Sequence, residues 1–233
     1  MPFLFGSAGV LTAYHTFLVL LPVPRAVHLP ANLGTAGLLL LACRRRGIPR
    51  SKLGLARECV SPGLRWGTAL SFCAAVGVRL ALAVPAGSKL LRDKRLSGLS
   101  RPEFLYRLLV HIPLATALPE EVIFRGALFG ALSQERRPRT AMLGSSVAFG
   151  LWHIGPAIDR LRANRPGATN LQRATAVAGT IAATTLAGTC LSSLRVRSKG
   201  LMGPIIVHWA VNACATVGAR FTSRPPRTSG VHA

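Results

Sequence analysis

The chain has 233 residues, half of them hydrophobic, with 15% charged and a formal net charge of +22. A soluble domain carries about a quarter charged residues, and this length suits one domain or two small ones. The apolar residues gather into blocks instead of recurring at amphipathic spacing, which excludes an ordinary soluble domain and points to the bilayer.

Residues 4–21 form an uncharged first block without a basic leader or a small-x-small cleavage site, so it is expected to stay as an anchor. A shorter block follows at 31–43, then one at 64–84 that contains Arg65 and Arg79. The fourth, 104–132, is long and interrupted by Pro113 and Pro119. The last three, 141–158, 174–194 and 201–219, are rich in Gly, Ala, Ser and Thr, which let helices approach closely in lipid. Continuous apolar runs exclude a β-barrel. The predicted fold is all-α, a polytopic membrane helical bundle of six to eight transmembrane helices. A single membrane domain is expected over 1–219, followed by a basic disordered tail over 220–233 that carries Pro225-Pro226.

Most of the positive charge lies in the connectors, such as "RRRGIPRSK", "QERRPR" and "DRLRANR". No connector interleaves aromatics with its basic residues, so nucleic acid is not an expected partner. Anionic lipid headgroups are. The basic residues divide almost evenly between alternate connectors, which assigns no orientation. Cys43, Cys59, Cys73, Cys190 and Cys214 show no paired spacing and read as neither a disulfide framework nor a zinc ribbon.

Only seven residues of the chain are acidic, yet Glu120 and Glu121 stand side by side in the apolar stretch "LPEEVIFRG". An ionisable group at membrane depth costs a few kcal/mol on insertion scales, so it has a partner or a task. Glu121 and Arg125 are four apart and can pair on one helix face. That accounts for Glu121 and leaves Glu120 as a candidate general base. The fifth block holds Phe149 and His153 four apart, and the seventh holds His208 and Asn212 at the same spacing. His15 has no companion at helical spacing and is expected to be a packing residue. Arg79 and Arg107 are expected to snorkel.

Peptide hydrolysis needs a base for water, a proton donor for the leaving amine, and donors facing the oxyanion. Glu120 with His153 could supply the first two, and His208 with Asn212 the third, with Arg125 holding Glu121. A zinc site on His153, His208 and Glu120 is the alternative reading of the same residues. A proton relay in a small transporter, or a catalytically silent membrane scaffold, would use them differently again.

In this order and on three separate spans, Glu120-Glu121-x-x-x-Arg125, Phe149-x-x-x-His153 and His208-x-x-x-Asn212 resemble the CPBP family. This is the CAAX-protease and bacteriocin-processing group, also called Abi, which includes the type II CAAX prenyl endopeptidases. The resemblance covers residues 104–219 and implies an all-helical intramembrane endopeptidase, multi-pass, in a bacterial-type plasma membrane. It implies that Glu120 and His153 activate water, that His208 and Asn212 form the oxyanion hole, and that Glu121, Arg125 and Phe149 support them. The family is often labelled metalloprotease, but this glutamate-based reading needs no cofactor. The expected substrate is a membrane-associated peptide or protein.

Overall fold

The computed structural model describes residues 2–21 and 24–222. Every regular element among them is helical: α1 (Pro2–Leu20), α2 (Arg25–Arg45), α3 (Val60–Ala83), α4 (Pro85–Leu91), α5 (Arg101–Tyr106), α6 (Leu118–Glu121), α7 (Phe129–Glu135), α8 (Pro138–Trp152), α9 (Ile154–Asn164), α10 (Asn170–Ser198) and α11 (Met202–Thr222). Two stretches of wider π winding, Arg107–Ala117 and Val122–Leu128, join α5, α6 and α7 into one helical path. The protein is an all-α membrane bundle.

Four helical runs among the described residues are long and apolar enough to cross a bilayer: Arg57–Ala83, Pro138–Asn164, Asn170–Ser198 and Met202–Thr222. These are the third, fifth, sixth and seventh apolar blocks. Among the described residues, length and apolarity thus match four of the six to eight expected crossings. In the second block, α2 starts and ends in arginine. The fourth block is divided among short windings and carries the acidic pair.

The burial pattern shows where that acidic pair is kept. Residues 119–130 are buried without interruption, so the path through α6 is the centre of the bundle. Ile123, Phe124, Phe149 and Trp152 form the core around it. By contrast, α3 exposes Leu64, Trp66, Leu70, Phe72, Val76 and Leu80, an apolar surface fit for lipid. Small residues bring the helices together. A Cβ on Gly67 of α3 would stand 3.1 Å from Ile206 of α11, and one on Gly150 of α8 would stand 2.8 Å from the Ile181 carbonyl of α10.

Three prolines within this interior leave backbone carbonyls without an N–H donor, and three side chains from other helices fill the gaps. Pro156 has no N–H for Trp152, four residues earlier; His15 Nδ1 of α1 donates to that carbonyl at 3.0 Å. Pro119 has none for Ala115 in α-type pairing; Asn32 of α2 donates there at 2.8 Å. Pro113 has none for Leu108 in π-type pairing; Trp209 of α11 donates there at 3.0 Å. Lipid supplies no hydrogen bonds, so such carbonyls must find donors inside the protein. Each proline thus ties a second helix to the central path or to α8.

At the C-terminal end, α11 runs to Thr222, past the boundary expected at residue 219. Arg220 donates to the Leu99 carbonyl at 3.0 Å and lies 4.4 Å from the Phe104 ring centroid, and these contacts hold the last turn. The remainder of the expected tail, 223–233, lies outside the described residues. All five cysteines are free.

Candidate active site

Glu121 and Arg125 are both fully buried, and Arg125 Nη1 meets Glu121 Oε1 at 2.9 Å across one turn. The same carboxylate oxygen accepts from His208 Nδ1 at 2.7 Å, on the other side of the bundle core. Glu121 therefore holds a guanidinium and an imidazole at once. A buried charge is tolerable only when paired in this way. Arg125 also stacks over the Phe149 ring at 4.0 Å. Phe149 in turn presents its edge or face to His153 at 4.6 Å and His208 at 5.8 Å. One aromatic side chain thus spaces the three polar groups.

With Nδ1 bonded to Glu121, the second nitrogen of His208 is aimed elsewhere. Nε2 lies 3.8 Å from Glu120 Oε2. This separation is beyond a hydrogen bond but within reach of a small shift or a shared water. Glu120 is 4% exposed, and its Oε2 has no hydrogen-bond partner. The Trp152 indole N–H is likewise buried without a hydrogen-bond partner.

His153 sits at the break between α8 and α9. Its own N–H turns back to Gly150, and its Nδ1 donates to the Phe149 carbonyl at 2.7 Å. A carbonyl only accepts, so Nδ1 carries hydrogen and the neutral ring presents Nε2 as a lone pair. The break itself follows from Gly155-Pro156, because Pro156 cannot continue the α8 ladder. His153 is therefore a helix-end residue, one turn beyond Phe149.

Glu120, His153 and Asn212 line one cavity of about 400 Å³, and His208 reaches its edge through Glu120. The structure thus brings four of the sequence-predicted site residues to one place, with Glu121, Arg125 and Phe149 packed directly behind them. Arg107 and His111 line the same cavity, so Arg107 is not the lipid-edge arginine expected from its position. His15 lines it too, besides packing on Trp152 as expected of it. Asn32 and Trp152 also belong to this region and carried no signal in the sequence as site residues. The one available clue was Pro156 four residues after Trp152, which announces an orphan carbonyl without naming its donor.

Toward its outer end the cavity meets a polar cluster. Arg95 Nη2 contacts Asp93 at 2.6 Å and its Nη1 contacts Asp159. Burial pushes the Asp93 carboxyl up, but hydrogen bonds and charge from Arg95 outweigh this and hold it below the usual range.

A zinc ion would need three ligands at about 2.0–2.2 Å around one point. Among the described residues, no three His, Cys, Asp or Glu side chains are grouped closely enough for that. The set His153, His208 and Glu120 does not fit a zinc site in this arrangement.

Neither curated proteins nor solved structures yielded a match to this chain. A family model did: residues 102–214 match the type II CAAX prenyl endopeptidase Rce1-like family. The matched segment starts in α5 and ends in α11, and it contains both glutamates, Arg125, Phe149, His153, His208 and Asn212. Residues 102–214, just under half of the chain, are thus similar to a family of proteases, and the four long apolar helical runs mark an integral membrane protein.

Proposed function

We propose that this protein is an intramembrane endopeptidase that hydrolyses a peptide bond of a membrane-associated peptide or protein, without a metal ion. The observation that carries the reading is the shared cavity of Glu120, His153 and Asn212, with His208 Nε2 3.8 Å from Glu120. Glu120 takes one proton from a water, while the His153 Nε2 lone pair accepts a hydrogen bond from the O–H that remains. The water oxygen attacks the scissile carbonyl carbon. The C–N bond then breaks as Glu120 passes its proton to the departing nitrogen.

Negative charge gathers on the former carbonyl oxygen during attack. The Asn212 amide donates to it, and His208 donates from Nε2 in its protonated state, with the Glu121 carboxylate balancing the imidazolium. Because Nδ1 is committed to Glu121, a neutral His208 would have only a lone pair at Nε2. The role assigned to His208 therefore depends on Glu121. Arg125 holds Glu121 in place through the contact at 2.9 Å. Anionic headgroups meet the basic connectors, in a plasma membrane of bacterial type.

The test is purified protein in liposomes, given a panel of membrane-anchored peptides that includes farnesylated ones ending in a CAAX sequence. Wild type is compared with Glu120→Gln, before and after exhaustive chelation. Cleavage by wild type that survives chelation and disappears in Glu120→Gln is the expected result. Activity restored by one equivalent of zinc overturns the metal-free mechanism. Glu120-dependent proton flux with no cleavage of any peptide replaces the protease reading with a relay.

A further inference from the structure

His15 lies in α1, far outside the segment matched to the protease family, yet it is 5% exposed and lines the same cavity as Glu120, His153 and Asn212. Three contacts fix it there. Its Nδ1 donates to the Trp152 carbonyl at 3.0 Å, the carbonyl orphaned by Pro156. Its ring stacks on the Trp152 indole with 3.8 Å between centroids and 7° between planes. Finally, α1 can approach this closely because residue 155 is glycine; a Cβ there would stand 2.9 Å from Thr16 Cα.

These contacts set the tautomer. A carbonyl accepts and cannot donate, so Nδ1 bears the hydrogen and the neutral ring keeps its lone pair on Nε2. Capping Trp152 would explain an asparagine, a serine or any donor at this position. It does not explain a second ring nitrogen at a cavity that Glu120 also lines. His15, Glu120, His153 and His28 all line that one cavity.

We infer that His15 is a positioning residue for Glu120: when Glu120 has taken its proton from water, the carboxylic O–H donates to His15 Nε2. This holds the proton on the cavity side of the carboxyl until the nitrogen leaves. The inference rests on the proposed protease function. No atom is gained or lost by this hydrogen bond; the proton stays on Glu120 and is delivered from there. Through His15, α1 becomes part of the catalytic apparatus and not only packing around it.

Two variants separate this role from a structural one. His15→Phe keeps the stack on Trp152 and removes both nitrogens, whereas His15→Gln retains a donor for the carbonyl and an amide oxygen as acceptor. With turnover expressed per folded molecule, His15→Phe is expected to lose about tenfold to a hundredfold in kcat, the rate equivalent of one hydrogen bond involving an ionisable group. KM should hold, and His15→Gln should recover part of the loss. A loss in His15→Phe that follows the folded fraction alone overturns the inference, as does full kcat.

A second readout needs no substrate. In protein labelled with nitrogen-15 at histidine, in lipid nanodiscs, His15 should show the Nδ1–H tautomer, and its Nε2 signal should move in Glu120→Gln. An Nε2 signal indifferent to Glu120→Gln overturns the inference. If wild type cleaves no peptide, the protease reading falls, and this measurement still decides whether His15 addresses Glu120.

Discussion

Glu121 and His208, 87 positions apart in the chain, meet at 2.7 Å through Oε1 and Nδ1. The contact joins α6 to α11 through the core and makes the adjacent glutamates unequal. Glu121 is spent on two partners, Arg125 and His208. Glu120 Oε2 keeps no hydrogen bond. Two carboxylates side by side at the centre of a membrane bundle are thus a support and a free group.

The inequality predicts different costs. Glu121→Gln leaves Arg125 buried without its charge partner and loosens His208, so it should lose stability in the range of about 3–5 kcal/mol and also activity. Glu120→Gln exchanges a buried carboxyl for a neutral amide, leaves the contacts of Glu121 in place, and should leave the fold largely intact while activity disappears. Thermal unfolding in one detergent reads both. An equal loss in the two variants would falsify the division of labour.

Asn212→Ala should lower turnover by roughly a hundredfold or more, the usual loss for one oxyanion donor, with KM nearly unchanged. The side chain faces the cavity from α11, one turn beyond His208, so its removal leaves the Glu121–His208 pair alone. A rise in KM with unchanged kcat would assign Asn212 to ground-state binding instead.

The glycines that set helix spacing give a stability test independent of chemistry. At Gly150 a Cβ would overlap Thr185 Oγ1 and stand 2.8 Å from the Ile181 backbone oxygen, so α8 and α10 must part. Gly150→Ala should cost about 1–3 kcal/mol by overpacking. At Gly37 a Cβ meets nothing within 4 Å, so Gly37→Ala is the neutral control. Melting temperatures of the two variants in nanodiscs, compared with wild type, check the contrast.

Acid should weaken the cluster at the outer end of the cavity. Asp93 is held below the usual carboxylate range when folded, so the stability it contributes is present above its unfolded value. It is lost as pH falls through the depressed folded value. Wild-type melting temperature should drop over that acidic window, and Asp93→Asn, already lacking the charge pair with Arg95, should show a flatter profile there. Parallel profiles would remove Asp93 as the cause.

The membrane class, the all-helical fold and the list of polar residues inside the spans were legible in the sequence, because apolar blocks and i, i+4 spacings are local properties. Glu121 with Arg125, and His153 beneath Phe149, follow from one turn of helix each. The family resemblance rested on those same local motifs. Other features depended on which helices meet. The Glu121–His208 bond, the Trp152 carbonyl capped by His15 and the Ala115 carbonyl capped by Asn32 each join residues more than eighty positions apart. A proline announces an orphan carbonyl to anyone reading the chain, but its donor comes from wherever another helix packs. His15 looked solitary because its companions are brought to it across the bundle, by the close approach of α1 to Gly155. Local spacing determined which groups had to be paired; only the tertiary structure decided with what, since lipid offers no water to complete a pair left open.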